Sequence, residues 1–215
     1  MWVGDGSQTA SRRDIHSGAT LARVRLTGTR NGPGAMAMAN GVVWAGEEAF
    51  VDRIDAHHAR VLRPAQAGPT PLMSVYAWGS DVWVGNWNWG QMRRLDARTG
   101  RLRGVYRFGG AGMAEDGHEL WTTTALTTRS RRGDDPILTR LDLRSDRVTG
   151  RYRVGRRATP TSLNFCGAVR DYYEACPNPR PGIQALSLGA VAVADGSLWL
   201  AQNVERRIYR LRLAP

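Results

Sequence analysis

One motif recurs along nearly the whole chain and restricts its fold more than any other feature. Small and apolar residues lead into a Gly or Asp-Gly turn, then an apolar-Trp pair follows, trailed by small or apolar residues. The copies read AMAMANGVVWAG, SVYAWGSDVWVG, GMAEDGHELWTT and AVAVADGSLWLA, with MWVGDG as a truncated one. Their tryptophans are Trp2, Trp44, Trp83, Trp121 and Trp199, separated by 42, 39, 38 and 78 residues. The last interval is twice the others. Eleven to twenty-one residues after each of the first four Trp comes Arg, usually an apolar residue, then Asp, ending at Asp14, Asp55, Asp96 and Asp142. The fifth copy, YRLRL, has Arg212 where the others have Asp. A short turn follows each Asp and opens a further extended segment such as RLRGVYRF or RVTGRYRV.

Each unit therefore holds four short strands, and no segment carries a sustained helical period. A single four-stranded sheet cannot bury both faces, so each must stack on its neighbours, with large side chains at equivalent strand positions filling the space between. The repeated Trp is expected to be that filler, and the Asp to accept hydrogen bonds from its own turn. A residue present in every unit is expected to be structural, because its copies cannot all stand at one active site. A repeat of about 40 residues with four strands and a Trp in the second predicts an all-β chain, a β-propeller of four-stranded antiparallel blades. About four and a half blades are present by this reading: the first starts in its second strand, and the last stops after its third. The expectation is one partial propeller domain over 1–215, a C-terminal portion of a six- or seven-bladed ring, with a strained five-bladed ring as the alternative.

The pattern resembles the propeller family that includes streptogramin lyase (virginiamycin B lyase) and the YVTN (YncE)-like and NHL-like repeat proteins. The resemblance rests on LW or VW followed by small residues, then RID or RLD, then a TG-type turn, and it covers nearly the whole chain. For the lyases it implies elimination by a His base with a magnesium ion held by Glu, the His lying just before the first strand of a blade. The matching stretches here, GPGAMA, TPLMSV, GGAGMA and SLGAVA, contain no His. His118 falls in the turn DGHELW, and His16, His57 and His58 in the turns after Asp14 and Asp55. No catalytic residue is assigned. The lyase reading survives only as a fragment whose catalytic residues are absent.

Composition narrows the function classes. With 42% apolar and 23% charged residues the chain is of globular type rather than disordered. No apolar run is long enough to span a bilayer, and MWVGDGSQTASRRD has no apolar core of a signal peptide. All 30 basic residues are Arg, and the formal charge is +11. These arginines are dispersed, as compositional bias would leave them, so nucleic acid is not an expected partner.

Successive loops of an antiparallel blade alternate between its two ends, and the sequence treats the ends differently. Loops joining strands one to two and three to four are short: ANG, GSD, EDGH and DGS, then AHHA, ARTG and LRSD. The other end receives GEEAFV, GNWNWGQ, TTALTTRSRRGDDP and the stretch Gly155–Pro181. Binding concentrates on long loops over a rigid scaffold. The expected function is a non-catalytic scaffold that holds a small molecule, carbohydrate or protein there. A dimer that completes the ring is a further expected partner.

The candidate ligand residues are Asn86, Trp87, Asn88 and Trp89, suited to stacking on a sugar or aromatic ring, with Tyr172 and Tyr173. The alternative for the Trp pair is packing on a neighbouring blade. No cofactor is expected; the alternative is Mg2+ at Glu47 and Glu48, where paired carboxylates supply oxygen ligands. Asp134 and Asp135 form a similar pair, read as partners of Arg131 and Arg132. Cys166 and Cys176 lie in the insertion 155–182 that explains the doubled interval. They are read as a loop disulfide, with buried free thiols as the alternative. A disulfide favours an extracellular or periplasmic location for the full-length protein.

Overall fold

The computed structural model describes residues 1–4, 8–27, 35–46, 50–66, 74–86, 91–108, 112–124, 137–155, 188–202 and 207–213. Among these every regular element is a strand, and the strands form five antiparallel sheets, one for each Trp station. The first sheet holds β1 (Trp2–Gly4), β2 (Thr9–Arg13) and β3 (Thr20–Arg25). In the second, β4 (Ala35–Ala39), β5 (Val42–Gly46) and β6 (Phe50–Asp55) are followed by β7 (Arg60–Val61) and β8 (Ala65–Gln66). The third runs β9 (Ser74–Trp78), β10 (Asp81–Asn86), β11 (Gln91–Asp96) and β12 (Leu102–Tyr106). The fourth runs β13 (Met113–Asp116), β14 (Glu119–Thr124), β15 (Ile137–Asp142) and β16 (Arg147–Arg153). The fifth holds β17 (Leu188–Ala194), β18 (Ser197–Gln202) and β19 (Arg207–Arg212).

Local chemistry sets these boundaries. The turns joining first and second strands have two residues: Asn40-Gly41, Gly79-Ser80, Gly117-His118 and Asp195-Gly196. Asn40, Gly41, Asp195 and Gly196 all have positive φ, as the tight turn that matches strand twist requires. The second sheet departs from the four-strand expectation, because β7 and β8 both pair β6 along one edge. Pro64 stands between them, and without an N–H it cannot continue a ladder. Leu62 N–H keeps the broken strand attached by donating to the carbonyl of Arg53 at 2.7 Å.

The chain divides into two compact units, Met1–Asn86 with Gln91–Arg107, and Phe108–Pro215. Within each unit the sheets pack face to face, and the pleat sends alternate residues to opposite neighbours. In the first unit, Val43, Ala45 and Ile54 of the second sheet meet Ala10 and Val24 of the first. On its other face, Trp44 and Val51 meet Val82, Val84 and Leu95 of the third sheet. In the second unit, Ala114, Trp121 and Leu138 meet Val191, Leu198 and Leu200.

Candidate functional site

Each Trp station is completed by an Arg that sequence reading takes only as the start of the Arg-apolar-Asp motif. The register places Trp2 opposite Arg12, Trp44 opposite Arg53, Trp83 opposite Arg94, Trp121 opposite Arg140 and Trp199 opposite Arg210. In the last four the guanidinium lies over the indole, 5.2 to 5.6 Å from its centroid. A delocalised cation on an aromatic face is an attractive pairing, strengthened as water is removed. The signal was available in sequence: an Arg opens the motif at every station, followed by an apolar residue at all but the first, and antiparallel pairing turns two distant motifs into neighbours.

What the Arg reaches next depends on the residue two before the Trp. Asp81 accepts from Arg94 at 2.6 Å, Glu119 accepts from Arg140, and Ser197 Oγ accepts from Arg210 Nε at 3.0 Å. Val42 holds that place in the second sheet and has no acceptor. There Arg53 reaches the third sheet, donating to the backbone carbonyls of Arg98 and Thr99. Arg12 does the same one sheet earlier, through the carbonyls of Ala56 and His57 at 3.2 and 2.9 Å. Burial draws the Arg53 pKa down, and the bond to Glu119 raises that of Arg140.

The four motif carboxylates accept from their own turns, as expected of Asp there. Asp14 takes the N–H groups of His16 and Ser17, Asp55 those of His57 and His58, Asp96 those of Arg98 and Thr99, and Asp142 those of Arg144 and Ser145. Hydroxyls of Ser17, Thr99 and Ser145 add a further bond each. All four carboxyls are held below the usual range. The largest cause is a backbone N–H in each case: from Ser17, His58, Thr99 and Arg144 respectively. His58 Nδ1 also meets Asp55 Oδ2 at 2.8 Å. This is an exposed contact within one turn, at the position where the other copies place a Ser or Thr hydroxyl or backbone N–H on the Asp.

These bonded turns and the two-residue hairpins lie at one end of every sheet. His16, His57, His58 and His118 all belong to them. The opposite end receives the connections between second and third strands and between sheets, among them residues 125–136 and the segment following Val154 up to β17. Asn86 closes β10 opposite Gln91, so residues 87–90 connect a directly paired couple at that end. Trp87, Asn88, Trp89, Tyr172, Tyr173, Glu47, Glu48, Asp134, Asp135, Cys166 and Cys176 lie outside the described residues, as does the side chain of Asn86. Among the described residues no three His, Cys, Asp or Glu side chains gather as metal ligands, and no helix is long and apolar enough to cross a membrane.

No protein-family model matches the chain, and no curated protein matches it. Its likenesses are to solved structures of propeller-like form. A crystal structure of the mitotic checkpoint complex contains a chain with a TM-score of 0.70 and 12% identity, matching 99% of this chain and 59% of that one. The computationally designed Ika8 protein gives a TM-score of 0.65 at 13% identity, over 99% of this chain and 55% of that one. Hydrazine synthase of Kuenenia stuttgartiensis gives 0.61 at 13%, over 96% and 71%. The chain thus spans little more than half the length of the first two. At these identities the likeness concerns fold alone.

Proposed function

We propose that this chain is a non-catalytic β-propeller scaffold, a portion of a six- or seven-bladed ring of the streptogramin lyase-like or YVTN-like type. It holds a small molecule, carbohydrate or protein through the connections at the long-loop end of its sheets. The observation that carries this reading is the contrast between sheet ends. One end is closed by two-residue turns and by Asp turns whose polar groups are spent on local hydrogen bonds. All the long connections arrive at the other. Rigid strands with elaborated loops at one end suit recognition.

Trp87 and Trp89, flanking Asn88, are the anchors of choice, since an indole face stacks on a sugar or aromatic ring while amides bond its substituents. The test is retention on a panel of immobilised neutral and uronic oligosaccharides. Trp87→Ala with Trp89→Ala is expected to cut retention about tenfold or more while leaving the thermal midpoint within about 2 °C. Unchanged retention on a glycan that the parent protein binds removes those tryptophans from the site. Incubation with a streptogramin B antibiotic and Mg2+ is expected to leave the macrocycle closed; ring opening would return the chain to the lyases.

A further inference from the structure

In the second, third and fourth sheets the last strand stands at an edge, and the three edges differ in how far they are blocked. Pro64 breaks that of the second sheet into β7 and β8, two residues each. In the third, β12 has five residues, and its Arg103 is held by Asp81 at 2.7 Å and by Asp96. The fourth sheet ends in β16, which has seven residues and no proline, six of them exposed. Among the described residues no strand lies beyond it.

An open edge offers unpaired backbone groups to another strand. The bond from Leu143 N–H to the His118 carbonyl fixes the alternation along β15: Ile137, Thr139 and Leu141 turn their backbone groups to β14, while Leu138 and Arg140 turn theirs to β16. Tyr152 pairs with Leu138 and Gly150 with Arg140, whereas Arg151 stands opposite Thr139 and Arg153 opposite Ile137. Arg151 and Arg153 therefore direct their N–H and C=O groups outward. Arg147 stands opposite Asp142, so it and Arg151 lie on opposite faces of the edge. The Asp142 carboxylate is spent on Arg144 and Ser145 of its own turn. Positive charge thus flanks the open backbone on both faces. A second copy of this edge would bring Arg against Arg, and like charges set opposite each other disfavour pairing. An acidic strand meets no such obstacle.

We infer that β16 is a docking edge for an extended acidic peptide, which adds a strand to the fourth sheet, its main chain bonded to Arg151 and Arg153 and its carboxylates beside Arg147 and Arg151. The site is separate from the long connections.

The probe is a fluorescein-labelled, end-capped peptide of alternating Glu and Val, compared with the same peptide N-methylated at every amide, which keeps the charge and loses the donors. Fluorescence anisotropy with the 215-residue chain is expected to saturate at one peptide per molecule, and the methylated peptide to bind at least about tenfold more weakly. Absence of saturable binding would overturn the site, and equal affinities would overturn strand addition by showing attraction through charge alone. Arg151→Pro removes an outward N–H from an edge, where proline is tolerated, and should raise the Kd about tenfold with the thermal midpoint within about 2 °C. Arg151→Glu leaves the backbone intact and should weaken binding by a similar factor. An unchanged Kd in Arg151→Glu would overturn the site whether or not the proline variant folds. At saturation, amide hydrogen exchange should slow at Arg151 and Arg153 and stay as it was at Gly150 and Tyr152. Slowing confined to β3 or β12, or a doubled mass in sedimentation without peptide binding, would overturn the assignment as well.

Discussion

Four residues after each motif Asp the backbone turns left-handed: Gly18 (φ 70°), Ala59 (51°), Gly100 (75°) and Asp146 (59°). Alanine is the misfit, because its Cβ crowds the following carbonyl in that region at a cost of roughly 1–2 kcal/mol. Ala59→Gly relieves this, loses some unfolded-state restriction and one methyl contact, and is expected to stabilise by about 0.5 kcal/mol, read as a rise of about 1–2 °C in thermal midpoint. Gly100→Ala should do the opposite and cost more than about 1 kcal/mol, because the new Cβ would also stand 3.1 Å from the Arg53 side chain. The Asp itself was legible because its bonds run to residues two and three positions on. That chemistry is local, so the sequence alone carries it. The depressed carboxyl pKa values make these turns acid-sensitive. The unfolded chain takes up these protons first, so their stabilisation is complete above the ordinary carboxylate range, near pH 4, and fades as pH falls through the lower native values. Urea midpoints measured from pH 5 down to pH 2 should fall, and fall less steeply in Asp96→Asn; equal slopes would remove that turn as a source.

Strand by strand, the sheets are held by cross-strand stations that sequence reading saw only in part. Alternation and turn residues marked the strands, whereas the Arg over each indole depends on a register between residues nine to nineteen apart, set by pairing rather than by neighbours. In two sheets a glycine extends the station. Tyr106 tilts against Trp83 at 5.2 Å and Tyr152 against Trp121 at 5.8 Å, each folded back over a Gly two residues earlier in the strand. A Cβ at Gly150 would lie 2.5 Å from the Tyr152 hydroxyl. The recurring G-x-Y-R in RLRGVYRF and RVTGRYRV carried this signal. The stations differ in how deeply their acids are buried: the Asp81 side chain is 2% exposed and takes Arg94 and Arg103, while that of Glu119 is 15% exposed and takes Arg140. Removing Arg94 leaves the buried Asp81 with Arg103 as its remaining cation, so one of its oxygens loses its partner, and Arg94→Met should cost about 2 kcal/mol. Arg140→Met should cost about 1 kcal/mol, since its side chain is 36% exposed and its pair is screened by solvent. Denaturant midpoints of the two variants give the order directly, and a larger loss for Arg140→Met would refute burial of the acid as the deciding factor.

Across the molecule, the number of sheets follows from counting Trp stations, but division into units does not, because the motif looks alike in both. What separates them is where buried side chains cluster. Trp44, Val82, Val84 and Leu95 form one core, with Ala10, Val24, Val43 and Ile54 beside it in the first unit, whereas Trp121, Leu138, Leu198 and Leu200 form another in the second. Stacked repeats share stability with the sheets they touch, so a cavity made in one core should loosen that core's own sheets before any other. Leu95 is fully buried, and Leu95→Ala is expected to cost about 2–5 kcal/mol, the range for a leucine whose cavity cannot fully collapse. Amide hydrogen exchange reads where the loss falls. Protection should drop in β5 and β9–β11, which line that core, and hold in β14, β15 and β18, which line the other. Leu138→Ala should reverse the pattern. Equal loss of protection in both sets from either variant would mean that the two cores unfold as one, and that the repeat distributes its stability over the whole chain instead of unit by unit.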